Sequence, residues 1–111
     1  MYKLILMIMF SFGFAETLEI YYNSNAHIYG FQFNVDNTSI SSSAEGDAQT
    51  NGFTVQVSGN TLIAFSFTGS SIQSGCGTLT QMTLNGEATG LSGIVFSNEL
   101  GNAVNVEYYN P

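Results

Sequence analysis

The chain almost lacks positive charge. Lys3 is its only Lys or Arg against eight Asp and Glu residues, and the formal net charge at pH 7 is −7. Proteins bind phosphate groups mainly through Lys and Arg, so DNA, RNA and anionic lipid should repel this chain. We therefore expect no nucleic-acid partner and a recognition surface built from hydroxyls, amides and tyrosine rings.

Cysteine and histidine occur once each, as Cys76 and His27. No disulfide can form within the chain, so Cys76 is either a small buried residue or a residue that pairs with another chain. One Cys and one His cannot close a zinc site. Catalysis by a Ser/His/Asp triad would need His27 beside a nucleophile and an acid, and no Gly-x-Ser-x-Gly motif is present. We expect a protein that is not an enzyme, with His27 at the surface.

Lys3 lies in a segment with the pattern of a secretory signal peptide. An apolar run follows it from Leu4 to Phe14, and Gly13 and Ala15 are small residues at the −3 and −1 positions of a cleavage site. As a helix this run is roughly 16 Å long, too short for a hydrocarbon core of about 30 Å. We predict a signal peptide over residues 1–15. Its removal leaves 96 residues with a net charge of −8 and no membrane span, secreted or held at the cell surface.

Beyond the leader, apolar residues recur with the period of two that is typical of β-strands. The clearest case is residues 27–36, and Ser58-Gly59-Asn60 predicts a hairpin turn between two later strands. The polar residues 37–51 are interpreted as a surface connection with a brief helical turn near 42–45. Seven short strands at this spacing predict an all-β fold, a single antiparallel β-sandwich over residues 16–111. The predicted strands are 17–23, 27–36, 53–57, 61–68, 78–84, 91–97 and 103–109.

The predicted core follows from the apolar face of each strand. In the fourth strand, Ile63, Phe65 and Phe67 point one way and Leu62, Ala64 and Ser66 point the other, and we assign the aromatic side to the core. The complete predicted core is Tyr29, Phe31, Phe33, Val35, Phe53, Val55, Val57, Phe65, Phe67, Leu79, Leu84, Leu91, Ile94 and Phe96.

The order of these segments resembles the cohesin-like domains of the carbohydrate-binding-module-like β-sandwich superfamily. Such domains are nine-stranded sandwiches, so the resemblance implies a jelly-roll type of sandwich. It extends over most of the chain after the leader. The matching segments are Ile28-Tyr29-Gly30-Phe31-Gln32-Phe33-Asn34-Val35, Leu62-Ile63-Ala64-Phe65-Ser66, Gly75-Cys76-Gly77-Thr78-Leu79-Thr80, Leu91-Ser92-Gly93-Ile94-Val95-Phe96-Ser97 and Gly101-Asn102-Ala103.

Candidate ligand-binding residues are aromatic and amide side chains on the predicted strands. If the first and last strands pair, as in cohesin-like jelly rolls, Tyr21 and a tyrosine of the last strand form an aromatic patch. The alternative is ordinary cross-strand packing of these rings at a sheet edge. Amides can add hydrogen bonds to sugar hydroxyls. The candidates are Tyr21, Gln32, Gln56, Asn105, Tyr108 and Tyr109.

Carboxylates cluster in and beside the polar connection. Asp36, Glu45 and Asp47 can supply oxygen ligands to calcium, although their spacing matches no EF-hand, and the alternative is a solvated loop. Catalysis by paired carboxylates is disfavoured, because Glu45 and Asp47 have no apolar wall beside them that would raise a pKa. We expect no cofactor, and calcium is left open as an alternative.

These observations favour a secreted, non-catalytic recognition or adhesion module that binds a protein partner or a glycan through a sheet face. A second hypothesis is a structural or surface component that self-associates through its edge strands as a homo-oligomer. A third is a small polysaccharide-active enzyme.

Overall fold

Two β-sheets pack face to face in this computed structural model, which describes residues 3–11, 16–44 and 46–109. One sheet has the strand order β4-β7-β2-β1-β9 and the other β5-β6-β3-β8. All pairs are antiparallel except β1 with β9. The elements are β1 (Lys3–Ser11), β2 (Glu16–Ser24), β3 (Gly30–Asp36), β4 (Ile40–Ala44), α1 (Gly46–Thr50), β5 (Thr54–Ser58), β6 (Thr61–Phe65), β7 (Gly75–Leu84), β8 (Gly90–Ser97) and β9 (Asn105–Tyr109).

The predicted β-sandwich of jelly-roll type is confirmed, and each predicted strand has a counterpart. The interpretation of residues 37–51 is wrong in part, because they contain β4 and α1. In β4 only Ile40 is a large apolar residue, and a serine-rich strand carries no hydrophobic alternation. Ser43 Oγ lies 3.0 Å from Thr80 Oγ1 of β7, which satisfies these hydroxyls inside the sheet. The helix begins at Gly46, after the predicted turn.

The alternation of β3 fixes the centre of the core. Phe31, Phe33 and Val35 are buried as predicted, with exposed fractions of 4 %, 0 % and 0 %. The ring of Phe31 stacks on Phe33 at 6.2 Å and on Phe96 of β8 at 5.3 Å. Leu18, Ile20 and Tyr22 of β2 bury their side chains from the opposite sheet. The two sheets therefore share one apolar interior.

The predicted face of β6 is inverted. Leu62 and Ala64 are buried, whereas Ile63 is 39 % exposed, Phe65 is half-buried and Phe67 is 79 % exposed. Ala64 pairs with Phe31 in β3. Because the large rings of Phe31 and Phe96 already fill this part of the interior, a small residue fits beneath them and the aromatic residues of β6 lie outside.

Four further residues of the predicted core are only partly buried. Val55, Val57 and Ile94 pack against the edge of the core, and Tyr29 is half-buried. The remaining predicted core residues are buried. Cys76 is exposed on β7, so its interpretation as a buried apolar residue is wrong. His27 is exposed as expected, and its Nδ1 accepts a hydrogen bond from the Ser74 amide at 3.0 Å.

The first strand coincides with the predicted leader. β1 lies between β2 and β9 in the interior of its sheet. With β1 included, the described residues form nine strands, which is the number that the resemblance implies. Residues 12–15, with the predicted cleavage position, lie outside the described residues. Cleavage after Ala15 stays a prediction. Within the described ranges no helix is long and apolar enough to cross a membrane.

Candidate functional site: the outer face of the four-stranded sheet

Strand register arranges the outer side chains of the four-stranded sheet in three rows. The central row runs from Gln56 through Ile63 and Gln32 to Val95, one residue from each strand. Directly paired residues share a face of a sheet. We call this surface the neutral face. Its residues are Thr54, Gln56, Ser58, Thr61, Ile63, Phe65, Gly30, Gln32, Asn34, Ser92, Val95 and Ser97.

The centre of the neutral face is apolar and open to solvent. Ile63 is 39 % exposed and Val95 is 48 % exposed, on either side of Gln32. Gln56 lies on the other side of Ile63. Two β-branched side chains flanked by two amides give a surface that can bury apolar area and form a few directed hydrogen bonds. This composition is typical of the core of a protein interface.

A groove of about 210 Å³ crosses this surface beside Phe65. Its floor lies at Gly30, which has no side chain in the row between Phe65 and Ser97. A Cβ at Gly30 would lie 3.0 Å from Ser97 Oγ and 3.4 Å from the Ala64 carbonyl oxygen. The glycine therefore keeps open a depression that a side chain would fill.

Aromatic rings border the groove at one end. Phe65 and Phe67 form an edge-to-face pair with ring centroids 4.8 Å apart. Phe67 is the most exposed large apolar residue of the described chain, at 79 %. An exposed aromatic pair next to an apolar groove is an anchor of the kind that protein interfaces use.

A bulge in β8 places Val95 in the central row. The register between β3 and β8 shifts between Gln32 and Asn34, which pair with Val95 and Ser92. Gly93 lies within the shifted segment with φ of +59°, and a Cβ there would lie 2.8 Å from Asn34 Nδ2. Only glycine fits this left-handed position easily.

Carboxylates are absent from the centre of this face. Asp36, at the end of β3, is the only charged residue in the four strands, and its Oδ1 accepts a hydrogen bond from Ser92 Oγ at 2.6 Å. From Ala48 to Gly86 the sequence holds no charged residue at all. On a chain with a net charge of −7, the middle of this sheet is a locally neutral surface.

The predicted ligand-binding residues divide between the two sheets. Gln32 and Gln56 lie together on the neutral face, each paired with Ile63. Tyr21, Asn105 and Tyr109 belong to β2 and β9 of the five-stranded sheet. The pairing considered for the predicted first and last strands, 17–23 and 103–109, does not occur, because β1 lies between β2 and β9, with Met7 in register with both Tyr21 and Tyr109. The structure thus does not bring all six candidates to one site.

The hydroxyls of Tyr108 and Tyr21 form hydrogen bonds within the protein. Tyr108 packs against the core, and its hydroxyl accepts a hydrogen bond from the Leu91 amide at 2.9 Å. Burial raises the pKa of Tyr108. The Tyr21 hydroxyl donates to Glu19 Oε2 at 2.5 Å, and this hydrogen bond raises the pKa of Tyr21. Tyr108 therefore has a structural role here.

Asp36 and Asp47 of the predicted calcium site form hydrogen bonds with different partners. Asp36 bonds to Ser92 at the end of the four-stranded sheet, whereas Asp47 in α1 accepts a hydrogen bond from the Tyr22 hydroxyl at 2.5 Å. Glu45 lies outside the described residues. Among the residues that the structure describes, no three His, Cys, Asp or Glu side chains converge as metal ligands. Calcium binding stays a prediction without a preformed site in this part of the chain.

Sequence reasoning placed Phe65 in the core, gave Ile63 the same face, and did not identify Val95 as a candidate. The signal was present in the hairpin between β5 and β6, where Ser58 pairs with Thr61 and Val57 with Leu62. Since paired residues share a face, Val57 in the core requires Leu62 in the core and Ile63 outside.

Comparisons with solved structures identify the fold. A non-cellulosomal cohesin from the hyperthermophilic archaeon Archaeoglobus fulgidus matches with a TM-score of 0.65 and 19 % identity, over 96 % of this chain and 86 % of that one. A type I cohesin–dockerin complex from Clostridium thermocellum matches with a TM-score of 0.61 and 10 % identity, over 98 % of this chain and 89 % of that one. The fold is cohesin-like.

The cohesin-like sandwich confirms the resemblance given above. The wider superfamily assignment stays a prediction. No protein-family model matches the chain, and no curated protein matches it.

Proposed function

We propose that this cohesin-like protein is a non-catalytic recognition module that binds a protein partner through the neutral face. The observation that carries the proposal is the exposed, uncharged row of Gln56, Ile63, Gln32 and Val95 on a strongly acidic chain. A partner that covers this row removes apolar side chains from water without removing carboxylates from water.

The shape of the surface favours a protein over a glycan as the ligand. Glycan sites commonly stack a sugar on an exposed Trp or Tyr ring, whereas the chain has no Trp and the aromatic residues beside the groove are Phe65 and Phe67. The neutral face instead offers aliphatic Ile63 and Val95 at its centre. One of the structural neighbours comes from a cohesin–dockerin complex, which gives the same sandwich a protein partner in that case. We propose further that the chain works outside the cell, on the strength of the signal-peptide pattern in residues 1–15.

A double substitution tests which face binds. The wild-type chain, I63D/V95D and the control N23D/S41D are used to select binders from displayed protein fragments of the genome that encodes the chain. The control adds the same two charges to exposed positions of the five-stranded sheet. Two carboxylates in an apolar interface centre should weaken binding by at least about 100-fold, or about 2.7 kcal/mol. The control should stay within about threefold of wild type, which corresponds to roughly 0.6 kcal/mol.

Two results would contradict the proposal. Natural fragments that bind I63D/V95D as tightly as the wild type would move the site to another surface. Failure to select any fragment, together with binding on a glycan array that both double variants retain, would replace a protein partner with a carbohydrate. Circular dichroism of both variants checks that each is folded.

A further inference from the structure

β1 fills the space between β2 and β9, which we call the slot. β1 pairs with β2 over eight residue pairs, from Leu4 with Ser24 to Ser11 with Thr17, and with β9 over five. In the strand order β1 is the only neighbour of β9. Without β1, β2 would present a row of unpaired N–H and C=O groups along its whole length.

The register of β1 matches the buried pattern of β2. Leu6 pairs with Tyr22, Ile8 with Ile20 and Phe10 with Leu18, and these three β2 partners are buried. Residues at the alternate positions, such as Met7, pair with partly exposed Tyr21. β1 thus gives β2 a backbone partner and places an apolar residue opposite each of these buried β2 residues.

Contacts on its other side hold β9 away from β2. The Tyr108 hydroxyl accepts from the Leu91 amide at 2.9 Å, and the Val104 amide donates to the Phe96 carbonyl at 2.8 Å. Val104, Val106 and Tyr108 also pack against the core. To pair with β2 directly, β9 would have to move by about one strand spacing, roughly 4.8 Å, and break these bonds. These contacts therefore favour an open slot over direct pairing of β9 with β2 when β1 leaves.

We propose that the space between β2 and β9 is a strand-binding site, whose occupant is the apolar segment Lys3–Ser11 of this chain. A covalent link to Glu16 is not needed for binding. Cleavage after Ala15 would convert β1 from a covalent strand into a noncovalent ligand that runs antiparallel to β2. This inference is independent of the neutral face, which lies on the other sheet.

The test uses the full chain with a sequence-specific protease site inserted between Ala15 and Glu16. The folded protein is cut, diluted to about 1 µM and examined by native mass spectrometry and amide hydrogen exchange. We expect the N-terminal fragment to stay bound and the β2 amides to keep at least tenfold protection relative to protein from which the fragment has been removed. Loss of the fragment at this dilution overturns the proposal, whether the remaining chain stays folded or unfolds.

A matched pair of substitutions checks the register. I8N changes a position that pairs with buried Ile20, whereas M7N changes the neighbouring position that pairs with Tyr21. After cutting, the I8N fragment should dissociate at least tenfold faster than the M7N fragment. Equal dissociation rates would show that the fragment is held without strand register and would overturn the site as described.

Discussion

The two sheets present outer faces of different chemistry. The neutral face holds Ile63 and Val95 between amides and hydroxyls, and its strands contain one carboxylate at their margin, Asp36. In the five-stranded sheet, Glu19 of β2 and Glu107 of β9 are partly or fully exposed within the strands themselves. One face is therefore suited to close contact, and the other to contact with water.

This difference gives the proposed interface a chemical basis in a protein with almost no basic residues. With only Lys3 to offset eight carboxylates, the charges cannot be neutralised by pairing. They are instead kept out of the middle of one sheet. Burial of that sheet by a partner then carries no large desolvation cost for charged groups.

The largest difference in stability is expected between substitutions at a buried and an exposed residue that are neighbours in β6. Leu62 is fully buried, and Leu62→Ala should lower the free energy of unfolding by about 2–5 kcal/mol. Ile63 is 39 % exposed on the neutral face, and Ile63→Ala should cost less than about 1 kcal/mol. Urea denaturation followed by circular dichroism measures both values.

The two substitutions should affect partner binding in the opposite order. Ile63→Ala should weaken binding more than Leu62→Ala does under conditions where both variants are folded. A larger stability loss for Ile63→Ala than for Leu62→Ala would contradict the face assignment of β6. It would also remove the main apolar element of the proposed site.

β6 also shows where prediction from sequence fails in physical terms. The sandwich and the buried face of β3 follow from period two, because polar and apolar residues alternate cleanly there. In β6 both faces carry apolar residues, so alternation alone leaves the direction open. The pairing of Val57 with Leu62 across the hairpin sets the direction, and the small Ala64 fits opposite Phe31.

Substitutions of the adjacent Tyr21 and Tyr22 of β2 should differ in their loss of stability by an intermediate amount. Tyr22 is buried and bonded to Asp47, whereas Tyr21 is on the outer face and bonded to Glu19. Removing a hydrogen bond to a charged group in a buried setting should cost about 1.5–3 kcal/mol in Tyr22→Phe. Tyr21→Phe should change stability by less than about 0.5 kcal/mol. Denaturation at pH 8 measures the pair.

Tyr22 should also make the stability of the protein depend on pH in alkaline solution. Burial, reinforced by the hydrogen bond to Asp47, raises the pKa of Tyr22 well above its ordinary value of 10.0. A raised pKa in the folded state stabilises the fold fully below about pH 10, and this stabilisation is lost as the pH rises from there through the folded-state pKa. Wild type should therefore lose stability between pH 10 and 12 more steeply than Tyr22→Phe. Parallel profiles would contradict a protonated, bonded Tyr22.

The candidate site was predictable only in part. Gln32 and Gln56 were found because amides at outward strand positions are visible in the sequence. The floor at Gly30 and the position of Val95 depend on pairing across the sheet and on the bulge at Gly93. The strand β1 over residues 3–11 was not predicted, for a different reason. An apolar run fits the pattern of a signal peptide as well as that of a β-strand.

Salt should produce the smallest effect and still separate the two faces. Since the centre of the neutral face has no charge, raising NaCl from about 50 to 500 mM should change the Kd of a partner bound there by less than about twofold, or 0.4 kcal/mol. Gln56→Glu introduces a carboxylate in the central row with almost no change in shape and should make the Kd depend on salt. Titration calorimetry at three salt concentrations measures both proteins. A steep salt dependence of the wild-type complex would indicate carboxylates in the interface. The binding site would then lie on the surface that carries Glu19 and Glu107 and not on the neutral face.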